Sequence, residues 1–362
     1  MKIIKVKTES KNYEINLGHN FLRSIPIKKL INNKDIFIIF DKKVPEARLK
    51  DFEKNLKRSN AKKIQTFKIS ATENNKNFSY LSKIYDFLIK NNFSRDCLII
   101  GIGGGITCDI TGFVASTFLR GVDFVLIPTT LLSQVDASIG GKTGVNHKGF
   151  KNMIGTFNQP VKVIIDTKFL NSLSKLEILC GFMEILKHGL IADREFFLWL
   201  EKNLAKILSL SPQFIEKAIK RSIEIKAEIV FQDEKEKGLR AILNFGHTFG
   251  HALETAGENK IYSHGEAVGL GMLTATKLSE FVLGLEEKYS NSIYKVIKNS
   301  GMKVNLKQKV STKKLIKLMQ SDKKKKDGEI QFVLLEKIGQ ATIKKVKKID
   351  LVEKAIKKSL FY

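Results

Sequence analysis

In the first part of the chain, short uninterrupted runs of apolar residues alternate with stretches of helical period. Such runs predict strands covered on both faces, and helices between them predict a parallel sheet. Two alternating segments at the start, Ile3–Val6 and Tyr13–Leu17, instead predict a β-hairpin. The further strands are predicted at Ile36–Phe40, Ile64–Ile69, Cys97–Ile100, Phe124–Ile127 and Val161–Ile165, and the helices between them include Pro45–Leu56 and Tyr80–Lys90.

Beyond about Asp166 the pattern changes to long helical periods. The helices are predicted at Lys175–Leu190, Arg194–Leu208, Pro212–Phe231, Ala241–Ala256 and Gly265–Leu283. A late pair of β-like runs follows at Ile330–Leu335 and Ala341–Lys344. The pattern therefore predicts an α/β domain over residues 1–170 and a mainly helical domain over residues 171–362.

Length and composition fit a two-domain globular protein of 362 residues. There is no apolar run of the roughly eighteen residues that a transmembrane helix needs, so no membrane partner is expected. The first residues alternate lysine with short apolar pairs, which is unlike a secretory signal. Three widely spaced cysteines without a CxxC motif predict a reducing, cytoplasmic location.

The net charge of +26 indicates either a nucleic-acid partner or an anionic substrate. The lysines are spread from Lys2 to Lys358 rather than gathered in a patch. A diffuse charge is weak evidence for nucleic-acid binding, so no nucleic-acid partner is expected.

A glycine-rich turn, Gly101–Asp109, follows one predicted strand and opens a helix that runs to about Phe118. Glycines let a backbone approach a pyrophosphate, and a helix N-terminus offers N–H groups and a positive dipole. The spacing is not GxGxxG. A tight strand-to-helix turn is the alternative, but the context favours nucleotide binding.

A second polar segment, Pro128–Asn152, follows the next strand and is predicted to be a long glycine-rich loop. Lys142 and Lys151 can hold a phosphate as point charges, and Asp136 can orient a hydroxyl or a lysine. The alternative is an irregular loop with solvated lysines.

Histidines in the second part of the chain predict a metal site. His247 and His251 lie four residues apart on one predicted helix, His264 opens the next helix, and Glu184 lies on an earlier one. Two or three imidazoles with one carboxylate are typical of catalytic zinc or cobalt. The spacing is not HExxH, which argues against a metalloprotease, and any one histidine alone can be an ordinary hydrogen-bonded residue.

These motifs, in this order, resemble the 3-dehydroquinate synthase family of sugar-phosphate cyclases. The resemblance is carried by the glycine turn, PTTLLSQVDASIGGKTGVN, the Glu184 helix, NFGHTFGHALE and SHGEAV. It implies a Rossmann-like α/β NAD-binding domain followed by a mainly helical metal- and substrate-binding domain. It also implies conversion of 3-deoxy-D-arabino-heptulosonate 7-phosphate to 3-dehydroquinate and phosphate, with NAD and one zinc or cobalt ion.

The resemblance assigns roles residue by residue. The implied metal ligands are Glu184, His247 and His264, whereas His251 matches a substrate contact. The implied NAD contacts are Asp41, Glu73, Lys76, Gly104, Gly105, Ile106, Thr107, Asp109, Thr129, Thr130, Lys142, Lys151, Phe169, Leu170 and Ser172. The implied substrate contacts are Asp136, Lys142, Asn152, Lys187, Lys226, Arg240, Asn244, His251 and one of Lys323 and Lys324. Arg120 resembles an arginine that reaches a neighbouring subunit's site, which implies a homodimer.

The chain departs from the family pattern at Ala71, Thr72, Ser174, Leu176, Met183 and His188, and none of these departures removes an implied metal ligand or phosphate lysine. Two related activities remain as alternatives. A cyclase making valiolone-type or inosose products would share the fold and cofactors, but Arg240 and Asn244 favour a substrate with a carboxylate. A polyol dehydrogenase would release NADH stoichiometrically.

Overall fold

The computed structural model describes residues 1–24, 27–258, 260–322 and 330–360. The chain divides into two compact units. The first comprises Met1–Ser174 together with Lys226–Lys235, and the second comprises Lys175–Ile225 and the chain from Glu236 onward. The sequence pattern changes near residue 170, close to the end of the first segment, but gives no sign that a short later segment joins the first unit.

The first unit is an α/β layer structure. Its strands are β1 (Lys2–Val6), β2 (Tyr13–Gly18), β3 (Asp35–Asp41), β4 (Lys63–Ile69), β5 (Leu98–Gly103), β6 (Asp123–Pro128), β7 (Lys142–His147), β8 (Phe150–Phe157) and β9 (Lys162–Asp166). Its helices are α1 (Lys28–Ile31), α2 (Glu46–Arg58), α3 (Phe78–Lys90) and α4 (Gly105–Thr117).

Seven of these strands form one sheet in the order β1-β2-β9-β6-β5-β3-β4. β1 pairs antiparallel with β2, and the other neighbours pair parallel. The order reverses between β3 and β5, where Asp41 and the glycine turn follow the two strands. Doubly wound sheets bind ligands at such a reversal, outside the carboxyl ends of the strands.

The apolar runs of the sequence form the core of this sheet. Ile38 of β3 and Ile100 of β5 have no exposed surface and pack in one cluster with Phe52 and Leu56 of α2. Because helices cover the sheet, the strands carry few polar positions, which is why they could be predicted from uninterrupted runs.

The segment between β6 and β9 contains an antiparallel ribbon, β7 paired with β8, and the prediction of a long loop was wrong there. Gly144 faces Gly155 across the ribbon, and a Cβ on Gly155 would lie 2.2 Å from the Thr143 carbonyl oxygen. Glycines and exposed lysines hid the two-residue period that signals a strand.

The second unit is mainly helical. Its helices are α5 (Lys175–Ala192), α6 (Arg194–Leu208), α7 (Pro212–Gln232, whose end belongs to the first unit), α8 (His247–Ala256), α9 (His264–Leu283), α10 (Glu287–Asn299), α11 (Thr312–Asp322) and α12 (Ile349–Leu360). β10 (Gln331–Lys337) and β11 (Gln340–Lys345) form an antiparallel pair. Among the described helices, none has the length and apolar character needed to cross a membrane.

The predicted helix Ala241–Ala256 is two elements. A 3₁₀ turn covers Leu239–Asn244, and α8 begins only at His247. Gly246 lies between them with φ +81°, a left-handed conformation that breaks the helical path and that glycine adopts readily. The sequence prediction was wrong here because apolar spacing continues through the break.

Candidate metal centre and nucleotide-binding turn

Three side chains of the second unit converge at the ends of two helices and the middle of a third. Glu184 lies within α5, His247 is the first residue of α8, and His264 is the first residue of α9. Glu184 Oε1 lies 3.6 Å from His247 Nε2 and 3.3 Å from His264 Nε2. One ligand atom from each residue lies within 4.8 Å of the others.

Local backbone structure places these ligands. The left-handed Gly246 turns the chain so that α8 starts at His247. Ser263 and Glu266 form a reciprocal capping box that starts α9 at His264. A Cβ on Gly265 would lie 2.3 Å from Cys180 Cα, so glycine lets the start of α9 pack directly on α5, one turn before Glu184.

Charge is concentrated and buried at this point. Glu184 has no exposed surface and pairs with Lys187, which is nearly as buried. Burial acts to raise the pKa of Glu184, but Lys187 and the two histidines hold it well below its usual range. Burial, followed by Lys187, lowers the pKa of His247 to about 3, so this imidazole is neutral. Burial acts to lower the pKa of His264, but Glu184 and Glu254 raise it to about 10.

The donor set fits a divalent metal. His247 Nδ1 lies 3.2 Å from the Phe245 carbonyl oxygen, which leaves Nε2 facing Glu184. Two imidazole nitrogens and one carboxylate oxygen match the protein ligands of catalytic zinc, with a position left for substrate. The centroid of the His251 ring lies 5.5 Å from that of the His247 ring. His251 does not belong to the cluster of potential metal ligands that Glu184, His247 and His264 form among the described residues.

Other predicted substrate contacts of the second unit lie around the 3₁₀ turn. Arg240 is almost fully buried, and Asn244 Nδ2 donates to Glu236 Oε1 at 2.9 Å. Sequence reasoning missed Glu236, because a lone glutamate between lysines carries no motif. Lys323 and Lys324 lie outside the described residues.

In the first unit, the glycine turn packs too closely for larger residues. A Cβ on Gly103 would lie 2.3 Å from Thr107 Oγ1 and 2.9 Å from Asp41 Cβ. Gly104 caps α4, and the N–H groups of Gly105, Ile106 and Thr107 form the first turn, where N–H groups have no partner within the helix. Thr107 has no exposed surface, so Gly105 and Ile106 are the residues of this turn with surface open to a ligand.

Lys76 joins residues predicted in separate segments. It is 2% exposed, and its ammonium contacts Asp109 of α4 and Asn152 of β8. The adjoining Asn146 donates to Glu73 Oε2 at 2.8 Å and accepts from the Asn152 N–H at 2.9 Å. Burial raises the pKa of Asp109 more than Lys76 lowers it. This network ties the ribbon to the start of α4.

Lys226 and Asp136 also meet. Lys226 Nζ lies 2.6 Å from both the carboxylate Oδ1 and the carbonyl oxygen of Asp136. Lys226 belongs to the late segment that joins the first unit, so this contact lies within that unit.

The remaining predicted residues of the first unit differ in exposure. Burial raises the pKa of Asp41, whose Oδ1 accepts from the Lys43 N–H at 3.1 Å. Thr129 donates its N–H to the Gly103 carbonyl oxygen at 2.9 Å, and the Thr130 hydroxyl donates a hydrogen bond to Ser133 Oγ at 2.9 Å. Lys142, Lys151, Arg120 and Ser172 are exposed, whereas Phe169 and Leu170 are buried.

Two family models match the chain. The model of the 3-dehydroquinate synthase N-terminal region covers residues 66–180, and that of the C-terminal region covers residues 181–325. Together they span most of the chain.

Similar proteins extend this match. A 3-dehydroquinate synthase of Pelagibacter ubique is 44% identical over 94% of each chain, and one of Hydrogenovibrio crunogenus is 40% identical over 98% of this chain and 99% of its own. A solved structure of 2-epi-5-epi-valiolone synthase from Streptomyces hygroscopicus, with NAD+ and Zn2+ bound, matches 98% of both chains with a TM-score of 0.88 and 26% identity. The chain belongs to the 3-dehydroquinate synthase family.

Proposed function

We propose that this protein converts 3-deoxy-D-arabino-heptulosonate 7-phosphate to 3-dehydroquinate and phosphate, as a phosphorus–oxygen lyase. The reaction oxidises a ring hydroxyl, eliminates phosphate, reverses the oxidation, opens the ring and closes a carbocycle by an aldol step. The observation that carries the proposal is the convergence of Glu184, His247 and His264 in a chain 44% identical to a 3-dehydroquinate synthase.

The first unit is proposed to bind NAD at the glycine turn. The close packing of Gly103 and the first-turn N–H groups of α4 suit a pyrophosphate, whose charge the helix dipole favours. NAD, when bound, takes a hydride from the substrate and returns it, so it is regenerated in each turnover. We assign Asp41, Glu73, Lys76, Asp109, Thr129 and Thr130 to positioning this cofactor, with the other residues that the family resemblance implies.

Glu184, His247 and His264 would hold one zinc or cobalt ion. The ion, when bound, acts as a Lewis acid that polarises the substrate hydroxyl to be oxidised. The lowered pKa of His247 suits coordination, whereas His264, whose pKa Glu184 and Glu254 raise, would release a proton when the ion binds.

The substrate carries a carboxylate and a phosphate, so its binding needs fixed cations. In the first unit we assign Lys142, Asn152, Asp136 and Lys226 to substrate contacts. In the second unit we assign Lys187, Arg240, Asn244 and His251, with His251 as a proton relay during hydroxyl oxidation. Arginine and lysine suit these anions because their bonds to carboxylate and phosphate are charge-assisted.

A cytoplasmic homodimer is the proposed assembly. Arg120 is exposed and adopts φ +67°, next to Leu119 with φ +48°, which is an unusual backbone for two non-glycine residues. Strained exposed segments often carry function, which supports the assignment of Arg120 to a neighbouring subunit's site. The three cysteines are buried and free, as suits a reducing compartment.

A cyclase making a valiolone-type product is the second candidate, because the match to 2-epi-5-epi-valiolone synthase covers nearly the whole chain. The higher identity to 3-dehydroquinate synthases favours the first proposal.

The test uses the full chain loaded with zinc or cobalt and a catalytic amount of NAD. We expect equal release of phosphate and 3-dehydroquinate from the heptulosonate phosphate, no net NADH, and loss of both products with chelator. Phosphate without 3-dehydroquinate would favour a related cyclase, and stoichiometric NADH would favour a dehydrogenase. If a folded, metal-loaded sample releases neither product, the proposal is overturned.

A further inference from the structure

The two ring nitrogens of His264 face two different carboxylates. Nε2 lies 3.3 Å from Glu184 Oε1, and Nδ1 lies 3.8 Å from Glu254 Oε1. Glu254 is the last residue of the NFGHTFGHALE motif, but the sequence analysis assigns it no role. Its side chain is 12% exposed, so a carboxylate is held in a mostly buried position beside the imidazole.

Histidine ligands generally donate their second ring N–H to a carboxylate or carbonyl oxygen, which fixes the tautomer and the ring plane. His247 has such a partner, because its Nδ1 lies 3.2 Å from the Phe245 carbonyl oxygen. His264 has a greater need of such a partner than His247 does. Its side chain is 31% exposed against 12% for His247, so packing confines the ring less.

We propose that Glu254 is a positioning residue that holds the His264 ring through Nδ1, so that Nε2 faces the metal position. The inference rests on the proposed metal centre and adds a residue to it. The distance of 3.8 Å exceeds a hydrogen bond, but coordination at Nε2 makes the Nδ1 proton more acidic and strengthens its attraction to a carboxylate.

The helix that carries Glu254 suits this role. α8 supplies His247 at its start and Glu254 about two turns later, so both lie on one face of the same helix. α8 packs closely on α9, because a Cβ on Gly250 would lie 3.1 Å from the Ala267 carbonyl oxygen. A short rigid helix therefore fixes one ligand directly and the other through its second nitrogen.

The test measures cobalt binding to the full-length protein by competition with a chelator, and records the visible spectrum of bound cobalt. We expect about 10- to 100-fold weaker binding for Glu254→Ala, with a changed spectrum, and a smaller loss for Glu254→Gln, which keeps an acceptor oxygen. Glu258→Gln is the matched control, because Glu258 is exposed just beyond the end of α8. It should bind cobalt like the wild type.

Wild-type affinity and an unchanged spectrum in both Glu254 variants would overturn the inference while leaving the metal centre in place. Failure of the wild-type chain to bind cobalt would overturn the metal centre itself. If Glu254→Ala does not fold, Glu254→Gln, which preserves size, decides the question alone.

Discussion

Glu184 and Lys187 form an ion pair on α5 that has almost no exposed surface. An ionised group left without its partner in such a place destabilises a protein by several kcal/mol, whereas an exposed pair contributes little. In the metal-free protein, Lys187 supplies the nearest positive charge to a carboxylate that is also a proposed metal ligand. A bound cation would supply positive charge to the same carboxylate, so the two should partly substitute for each other.

We predict that Lys187→Met lowers the free energy of unfolding by about 3–5 kcal/mol in the presence of chelator. The difference from wild type should shrink with saturating zinc, because the cation compensates Glu184. Urea unfolding with and without zinc measures both values. Lys220→Met is the control, since Lys220 forms a more exposed helical pair with Glu224 and should lose less than about 1 kcal/mol. The same loss with and without zinc would contradict the compensation.

His251 lies beside the three converging side chains without joining them. We predict that His251→Ala keeps its metal and loses turnover by about 10²- to 10⁴-fold, the usual contribution of a positioned acid or base. Metal content by elemental analysis and kcat in the coupled phosphate assay check the two parts. A variant that loses its metal would identify His251 as a ligand after all.

At the level of secondary-structure elements, the sequence predicted the strands whose positions are set by burial. The central strands β3, β5 and β6 were found within a few residues because helix-covered parallel strands are uninterrupted apolar runs. The predictions for the β7–β8 ribbon and for the start of α8 were wrong. Exposed strand residues leave no hydrophobic period, and the apolar spacing before α8 continues through the left-handed Gly246. In the site, the histidines could be found from residue type and spacing. Glu236 could not, since only its contact with Asn244 distinguishes it from other glutamates. Glu254 lies within the histidine motif, but its contact with His264 could be found only from the structure.

The start of α8 yields a prediction about Gly246. Alanine there would adopt a left-handed φ and place its Cβ 2.7 Å from Met272 Cγ. Gly284, at the end of α9, has φ +73° but nothing within 4 Å of a Cβ. We predict that Gly284→Ala lowers the free energy of unfolding by about 1–2 kcal/mol, which is the cost of the left-handed backbone conformation without any steric clash. Gly246→Ala should lose more and bind cobalt more weakly, because His247 is displaced. Equal effects on stability, with cobalt affinity unchanged, would show that the contact with Met272 is relieved without moving the ligand.

At the level of the whole molecule, Glu234 joins distant parts of the first unit. Its carboxylate accepts from the Ser10 N–H at 3.0 Å and from Gln159 Nε2 at 2.7 Å, and it is 3% exposed. Burial acts to raise its pKa, but the hydrogen bonds from Ser10 and Gln159 hold the pKa below the ordinary value of 4.5. The late segment Lys226–Lys235 is therefore fastened to both the first hairpin and the loop before β9.

A lowered pKa in the folded state means that the ionised carboxylate stabilises the fold above the ordinary pKa and that this contribution fades as pH falls below it. We predict that Glu234→Gln lowers the free energy of unfolding by about 1–3 kcal/mol at pH 7. The difference in unfolding free energy between this variant and the wild type should become smaller below about pH 4.5. Denaturant unfolding between about pH 7 and about pH 3 measures this. A difference independent of pH would assign the loss to packing rather than to charge.

The late segment of the first unit has a practical consequence for anyone who cuts the gene. An expression fragment ending at Ser174 would encode every strand of the large sheet and still lack Glu234 and Lys226. Ser10, Gln159 and Asp136 would each lose an acceptor or a cation that the intact chain provides. Such a fragment needs the end of α7 supplied as a separate peptide or grafted through a linker. The gain in unfolding free energy on adding that peptide would measure how much Lys226–Lys235 stabilises the first unit.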